Sequence, residues 1–124
     1  MKLSKCSYAY RALLELGKEP CSFQTAHAMM KLKRKLQEEA EYLAEQEMKL
    51  AQKYAVLDDQ GKIIWTGENR FQLRPGQAEI YRAEVEELVN IDVSITPEEA
   101  AAPPERITME QLEALEGLLI FKEV

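Results

Sequence analysis

The fold is decided by residues 22–54, which read SFQTAHAMMKLKRKLQEEAEYLAEQEMKLAQKY. This stretch contains no proline or glycine, and most of its residues favour a helix. Met29, Leu36, Leu43 and Leu50 recur every seven residues, and smaller apolar residues widen their stripe. The pattern predicts one amphipathic helix with a buried seam, about 50 Å long.

A helix of that length overhangs a compact domain of this size, whose diameter is roughly 35 Å. An overhanging apolar seam needs a partner. We therefore expect self-association into a homodimer or higher oligomer, with Met29, Leu36, Leu43 and Leu50 as the contact residues. The alternative is that a first helix and the C-terminal segment cover the seam within one chain.

A helical hairpin is predicted over about residues 4–54. Its first helix runs from Ser4, as the cap, to Leu16, and Gly17 supplies a left-handed stop. After a tight connection, Ser22 is a suitable cap for the long helix, because its hydroxyl can accept a backbone N–H.

The region of about residues 55–95 changes from helical periodicity to alternation. Residues 56–66 read as a β-hairpin with a glycine-containing turn, and residues 71–73 as a short third strand. A helix is predicted over 77–90. The clean alternation of residues 91–95 then indicates a strand with one buried face.

Residues 96–106, TPEEAAAPPER, are acidic, proline-rich and aperiodic, and predict a surface linker. Thr108 and Gln111 form a capping box that begins a last helix over 108–119. The whole chain, 1–124, is then one domain of a helix-dominated α+β class. It combines a helical hairpin, a small antiparallel sheet and two shorter helices.

The net charge of −6 conceals an asymmetry along the chain. Residues 1–37 carry eight basic and two acidic side chains, a net of +6, whereas residues 38–124 carry eight and twenty, a net of −12. Such a split indicates either a polyanion-binding end or head-to-tail self-complementarity.

A basic run lies inside the long helix and consists of Lys31, Lys33, Arg34 and Lys35. One interpretation is a solvated segment paired at i+4 with Glu38 and Glu39. The other is a contact to phosphate or to an acidic protein face. No aromatic residues interleave with the run, which argues against a nucleic-acid partner.

Trp65, the chain's one tryptophan, lies on the predicted hairpin. A buried hairpin tryptophan is the ordinary outcome. If the ring is exposed, Trp65 with Arg70 and Phe71 would form a natural group of interface anchors.

The residues that ordinary enzymes use are scarce. The chain has one histidine, His27, and no phosphate-binding glycine loop or zinc-protease, redox or hydrolase motif. Cys21 and His27 lack an evident orienting partner, and the glutamates of the long helix spread around it rather than converge. We expect no enzyme, cofactor or metal. With no membrane span or signal peptide in the sequence, we expect a cytoplasmic or virion location.

The order of features resembles a known group of proteins. The features are a short helix, a proline turn, a long charged helix ending in Lys53-Tyr54-Ala55, Asp58…Gly61, Phe71, the acidic Glu84–Leu88, Val93-Ser94-Ile95, and Ile107-Thr108…Gln111-Leu112…Leu115. Together they are similar to small proteins of unknown function encoded by phages and prophages of Gram-positive (Firmicute) hosts. The resemblance covers nearly the whole chain and implies a phage-borne protein that acts by contact.

Three functions follow from these observations. The leading hypothesis is an accessory protein that binds a host or phage macromolecule, with inhibition of a host defence as one mode. The alternative is a structural or assembly component of the phage particle. The third, a hydrolase, needs a converging carboxylate cluster that the sequence does not show.

Overall fold

The computed structural model describes residues 1–122, which contain four helices and four short strands. They are α1 (Leu3–Leu16), α2 (Phe23–Tyr54), β1 (Trp65–Gly67), β2 (Arg70–Phe71), α3 (Ala78–Val89), β3 (Glu98–Ala100), α4 (Met109–Leu115) and β4 (Leu119–Phe121). β1 and β2 pair antiparallel, whereas β3 and β4 pair parallel. The predicted helix-dominated α+β class is confirmed.

The long helix has nearly its predicted bounds, and α1 packs against its N-terminal half. The Ser22 hydroxyl accepts the Thr25 N–H at 3.2 Å, which confirms the predicted cap. The predicted left-handed stop at Gly17 is wrong, because its φ is −63°, in the right-handed region. α1 also begins earlier than predicted, with Lys2 rather than Ser4 in the capping position.

The seam of α2 is filled by the chain itself. Met29, Leu36 and Leu43 are buried, and the half-buried Leu50 packs against a cluster formed by Leu3, Leu43 and Leu88. α1 thus covers the first half of the seam, and α3 contributes to the second. Met29, Leu36 and Leu43 are therefore covered within one chain, as the alternative interpretation expects, and self-association stays a prediction.

Residues 91–95 do not form the predicted strand. Their backbone instead pairs with the first residues of the chain. Lys2 and Asp92 form an isolated antiparallel β-bridge, and the Val93 N–H donates to the Met1 carbonyl at 2.7 Å. The alternation does correspond to burial, since Val93 and Ile95 lie partly buried against the main core.

Residues 96–106 are not a surface linker. β3 lies within this segment and pairs with β4, and Ala100, Ala101 and Pro104 are buried. Alanine side chains are small enough to let this backbone approach α2 closely. The Thr25 hydroxyl donates to the Ala102 carbonyl at 2.8 Å and ties the segment to the start of α2.

The last helix begins at the predicted capping box, formed by Thr108 and Gln111. It ends at Leu115, earlier than the predicted bound of 119. Gly117 has a φ of +76°, a left-handed conformation that ends the helical path. The apolar residues beyond it form β4, which docks on the core.

Candidate functional site

A tight hairpin places Trp65 beside Phe71. The predicted pairing across residues 56–66 is present as one bridge, between Leu57 and Ile63, and the ladder proper forms one turn later between β1 and β2. Asn69 has a φ of 55° in that turn, a left-handed conformation that asparagine tolerates well. Trp65 and Phe71 are direct cross-strand partners.

A chain of aromatic rings connects the hairpin to the helices. The ring centroids of Trp65 and Phe71 are 5.9 Å apart, those of Phe71 and Tyr81 are 6.0 Å apart, and those of Tyr81 and Tyr54 are 5.9 Å apart, all edge-to-face. Tyr54 is buried at the end of α2 and Tyr81 is half-buried on α3. These contacts hold Trp65 in place although 46% of it is exposed.

An open cleft of about 380 Å³ lies between the hairpin, α2 and α3, and we call it the aromatic cleft. Its lining residues are Ala44, Glu47, Met48, Ala51, Trp65, Asn69, Phe71 and Tyr81. Met48 is 51% exposed at its edge. Burial, and next the Glu47 carboxylate, raise the pKa of the Tyr81 hydroxyl. The cleft therefore offers rigid apolar walls next to one negative charge.

The predicted group of interface anchors is divided by the structure. Trp65 and Phe71 line the aromatic cleft, but Arg70 does not. The Arg70 side chain lies beside Gly67, where a Cβ on the glycine would meet it at 3.5 Å. Sequence reasoning missed Glu47, Met48 and Tyr81, because they come from helices distant along the chain.

The basic run is divided as well. Lys31 and Lys35 both pair with Glu98 of β3, with N–O distances of 3.2 and 2.5 Å, and Lys35 also donates to the Thr96 carbonyl. The expected i+4 pairs with Glu38 and Glu39 are not formed within residues 1–122. The Lys35 hydrogen bond, followed by that of Lys31, lowers the pKa of Glu98, so the arrangement is a structural clamp.

The other two cations of the run remain on the surface. Lys33 and Arg34 are exposed, and neither forms an ion pair with any residue in the range 1–122. They are the part of the predicted basic site that stays open to a partner.

A second open surface, which sequence reasoning missed, lies at the start of α2. We call it the N-terminal groove; its volume is about 370 Å³ and it is lined by Leu13, Gly17, Glu19, Cys21, Phe23, Ala26, Met29, Met30 and Lys33. Phe23 is 96% exposed, so its ring has almost no cover from its own chain. Its helical position, about a third of a turn from the buried seam, was the available signal.

The residues considered for catalysis or metal binding were His27, Cys21 and the glutamates of α2. His27 is exposed and Cys21 is half-buried without a disulfide. Across residues 1–122, no three His, Cys, Asp or Glu side chains converge as metal ligands would. In the same part of the chain, none of the helices is both long and apolar enough to cross a membrane.

No protein-family model, curated protein or solved structure matches this chain.

Proposed function

We propose that this chain is a phage-encoded accessory protein that acts by non-covalent contact. Its aromatic cleft binds a hydrophobic side chain, flanked by Lys or Arg, on a protein partner. The observation that carries the proposal is the half-exposed Trp65 at the edge of a rigid cleft that also holds Glu47. The phage context comes from the resemblance in sequence.

The hydrophobic part of the ligand follows from the cleft walls. Trp65, Phe71 and Tyr81 are fixed by edge-to-face contacts, so a partner would lose little entropy in ordering them. Large, pre-ordered aromatic side chains around a pocket are the residues that dominate protein interfaces. An apolar side chain entering the cleft would remove both it and the exposed Met48 from water.

The basic part follows from charge. Glu47 lies in the cleft wall, and residues 38–124 carry a net charge of −12. A cationic residue next to the inserted side chain would approach this carboxylate and the faces of the aromatic rings, which attract cations. An acidic partner would meet repulsion over the same surface.

Site-specific photo-crosslinking in phage-infected cells tests the proposal. With p-benzoylphenylalanine in place of Trp65, we expect crosslinks to a protein segment in which an apolar residue adjoins Lys or Arg. The matched control carries the same probe in place of Tyr42, which is similarly exposed (45%) but lies on another face of α2. Equal crosslinking from the two positions would contradict the proposal, as would a fixed copy number of the protein in purified particles.

A further inference from the structure

The two open surfaces lie on the same flank of α2. Met30 lines the N-terminal groove and Met48 lines the aromatic cleft. They are separated by about five helical turns, or about 27 Å, and therefore project from the same side of the helix. Their midpoint coincides with the middle of α2, which spans Phe23–Tyr54. The two surfaces are thus placed symmetrically about the centre of the helix.

The two surfaces also complement each other in chemistry. The N-terminal groove presents the nearly fully exposed Phe23 together with the cation of Lys33, and the aromatic cleft presents Trp65 together with the carboxylate of Glu47. Phe23 and Lys33 lie ten residues, or about 15 Å, apart along α2, so the apolar anchor and the base are separate contacts on this surface, and Glu19 also lines the groove. The net charges of residues 1–37 (+6) and 38–124 (−12) have the same complementarity.

We infer that two copies of this chain pair antiparallel along this flank of α2. Each copy places Phe23 in the aromatic cleft of the other and Lys33 beside the other's Glu47. The inference rests on the proposed function, because it names a second copy as the partner of the cleft. In an antiparallel pair, the first half of one α2 helix packs beside the second half of the other. Each of the two contacts therefore forms twice, related by a two-fold axis.

This pairing differs from a self-association through the leucine seam. It uses side chains that are exposed in one chain, and it leaves the core intact. Because the two contacts are equivalent by symmetry, the assembly closes as a dimer and does not extend into a filament. The expected mass is about 28 kDa, twice the 14.2 kDa of one chain.

The first test measures the mass of the purified protein by sedimentation equilibrium, together with Phe23→Ala and the control Tyr42→Ala. We expect wild type and Tyr42→Ala to dimerise with equal affinity and Phe23→Ala to dimerise at least about tenfold more weakly. Phe23 has almost no intrachain contact, so its removal should leave the unfolding midpoint unchanged at dilutions where every protein is monomeric. Dilution of the wild type should also shift the fluorescence emission of Trp65 to longer wavelength, because dissociation of the dimer exposes its ring to water.

The second test exchanges charges. Lys33→Glu and Glu47→Lys should each weaken the dimer, because each variant faces like charges across both contacts. An equimolar mixture of the two should recover a 28 kDa species, twice the 14.2 kDa chain mass, because the mixed pair has opposite charges at both contacts. No recovery on mixing would overturn the inference.

A protein that stays monomeric up to about 1 mM would also overturn it. That result would leave the proposed function standing if the probe at position 65 still crosslinked a different protein in infected cells. Absence of crosslinks from position 65, together with a monomeric mass, would remove both.

Discussion

Replacing the fully buried Thr25 by valine tests whether residues 96–106 belong to the core. The Thr25 hydroxyl donates to the Ala102 carbonyl at 2.8 Å and accepts from the Ser22 hydroxyl at 3.2 Å. Valine keeps the shape but removes the donor. The lost hydrogen bond is worth about 1 kcal/mol, and the half-buried carbonyl left without a donor adds to that cost. We expect the free energy of unfolding to fall by about 1–3 kcal/mol.

Urea titration followed by far-ultraviolet circular dichroism gives the loss, and Thr66→Val is the matched control. Thr66 is exposed on β1, so its replacement should change the free energy of unfolding by less than about 0.5 kcal/mol. Hydrogen exchange adds a local readout, because the Glu98 N–H donates to the Leu118 carbonyl and should lose protection in Thr25→Val. Equal losses for the two variants would refute the reasoning that this bond holds the segment.

Three other substitutions follow from the geometry. Leu32→Ala removes a fully buried side chain from the core, and urea titration should show a loss of about 2–5 kcal/mol in the free energy of unfolding. Glu98→Gln should lower the free energy of unfolding at neutral pH but leave it equal to that of wild type in acid. The lysine contacts lower the folded-state pKa of Glu98 below its ordinary 4.5. Their stabilising contribution is therefore present above pH 4.5 and is lost as the pH falls through the folded-state pKa. A constant difference between urea midpoints across this range would contradict the clamp. Glu47→Gln should lower the pKa of Tyr81 but leave it above the ordinary 10.0, because burial is the larger cause of the shift. A ¹³C NMR titration of labelled tyrosine measures this pKa. An unchanged pKa would show that the Glu47 carboxylate is too far from the Tyr81 hydroxyl to affect it.

The helices were predictable because their signals are local. The bounds of α2 follow from a long stretch without proline or glycine and from the Ser22 cap. The same periodicity identified which residues of the seam are buried. It did not identify what buries them, because the covering surfaces of α1 and α3 come from distant parts of the chain.

The segment 96–106 was misread because its structure depends on non-local contacts. Proline and glutamate are typical of linkers, and nothing local marks Glu98–Ala100 as a strand. Its order comes from pairing with β4, from the hydrogen bond of Thr25 and from the contacts of Lys31 and Lys35 with Glu98. An acidic residue in an apparent linker thus turned out to be the counter-ion of a basic run more than sixty residues earlier.

The sequence predicts two of the eight residues that line the aromatic cleft. Trp65 and Phe71 were identified from residue type and hairpin position, but whether Trp65 is exposed depended on how the hairpin packs against α2. Tyr81 falls within the helix predicted over 77–90, but its contact with Phe71 depends on the three-dimensional arrangement. The predicted neighbour Arg70 failed as a lining residue because adjacent residues on a strand point to opposite faces.

The continuity of α2 connects the core to the surface. One face of this helix carries the seam that α1 and α3 cover, and a flank about a third of a turn away carries both open surfaces. A kink between residues 33 and 44 would rotate one half of the flank away from the other while each half kept its own core contacts. An uninterrupted run of strong helix formers across those residues keeps Met30 and Met48 on the same side of α2. The helix does not become an exposed apolar arm, because α1 covers the first half of its seam and α3 contributes to the second.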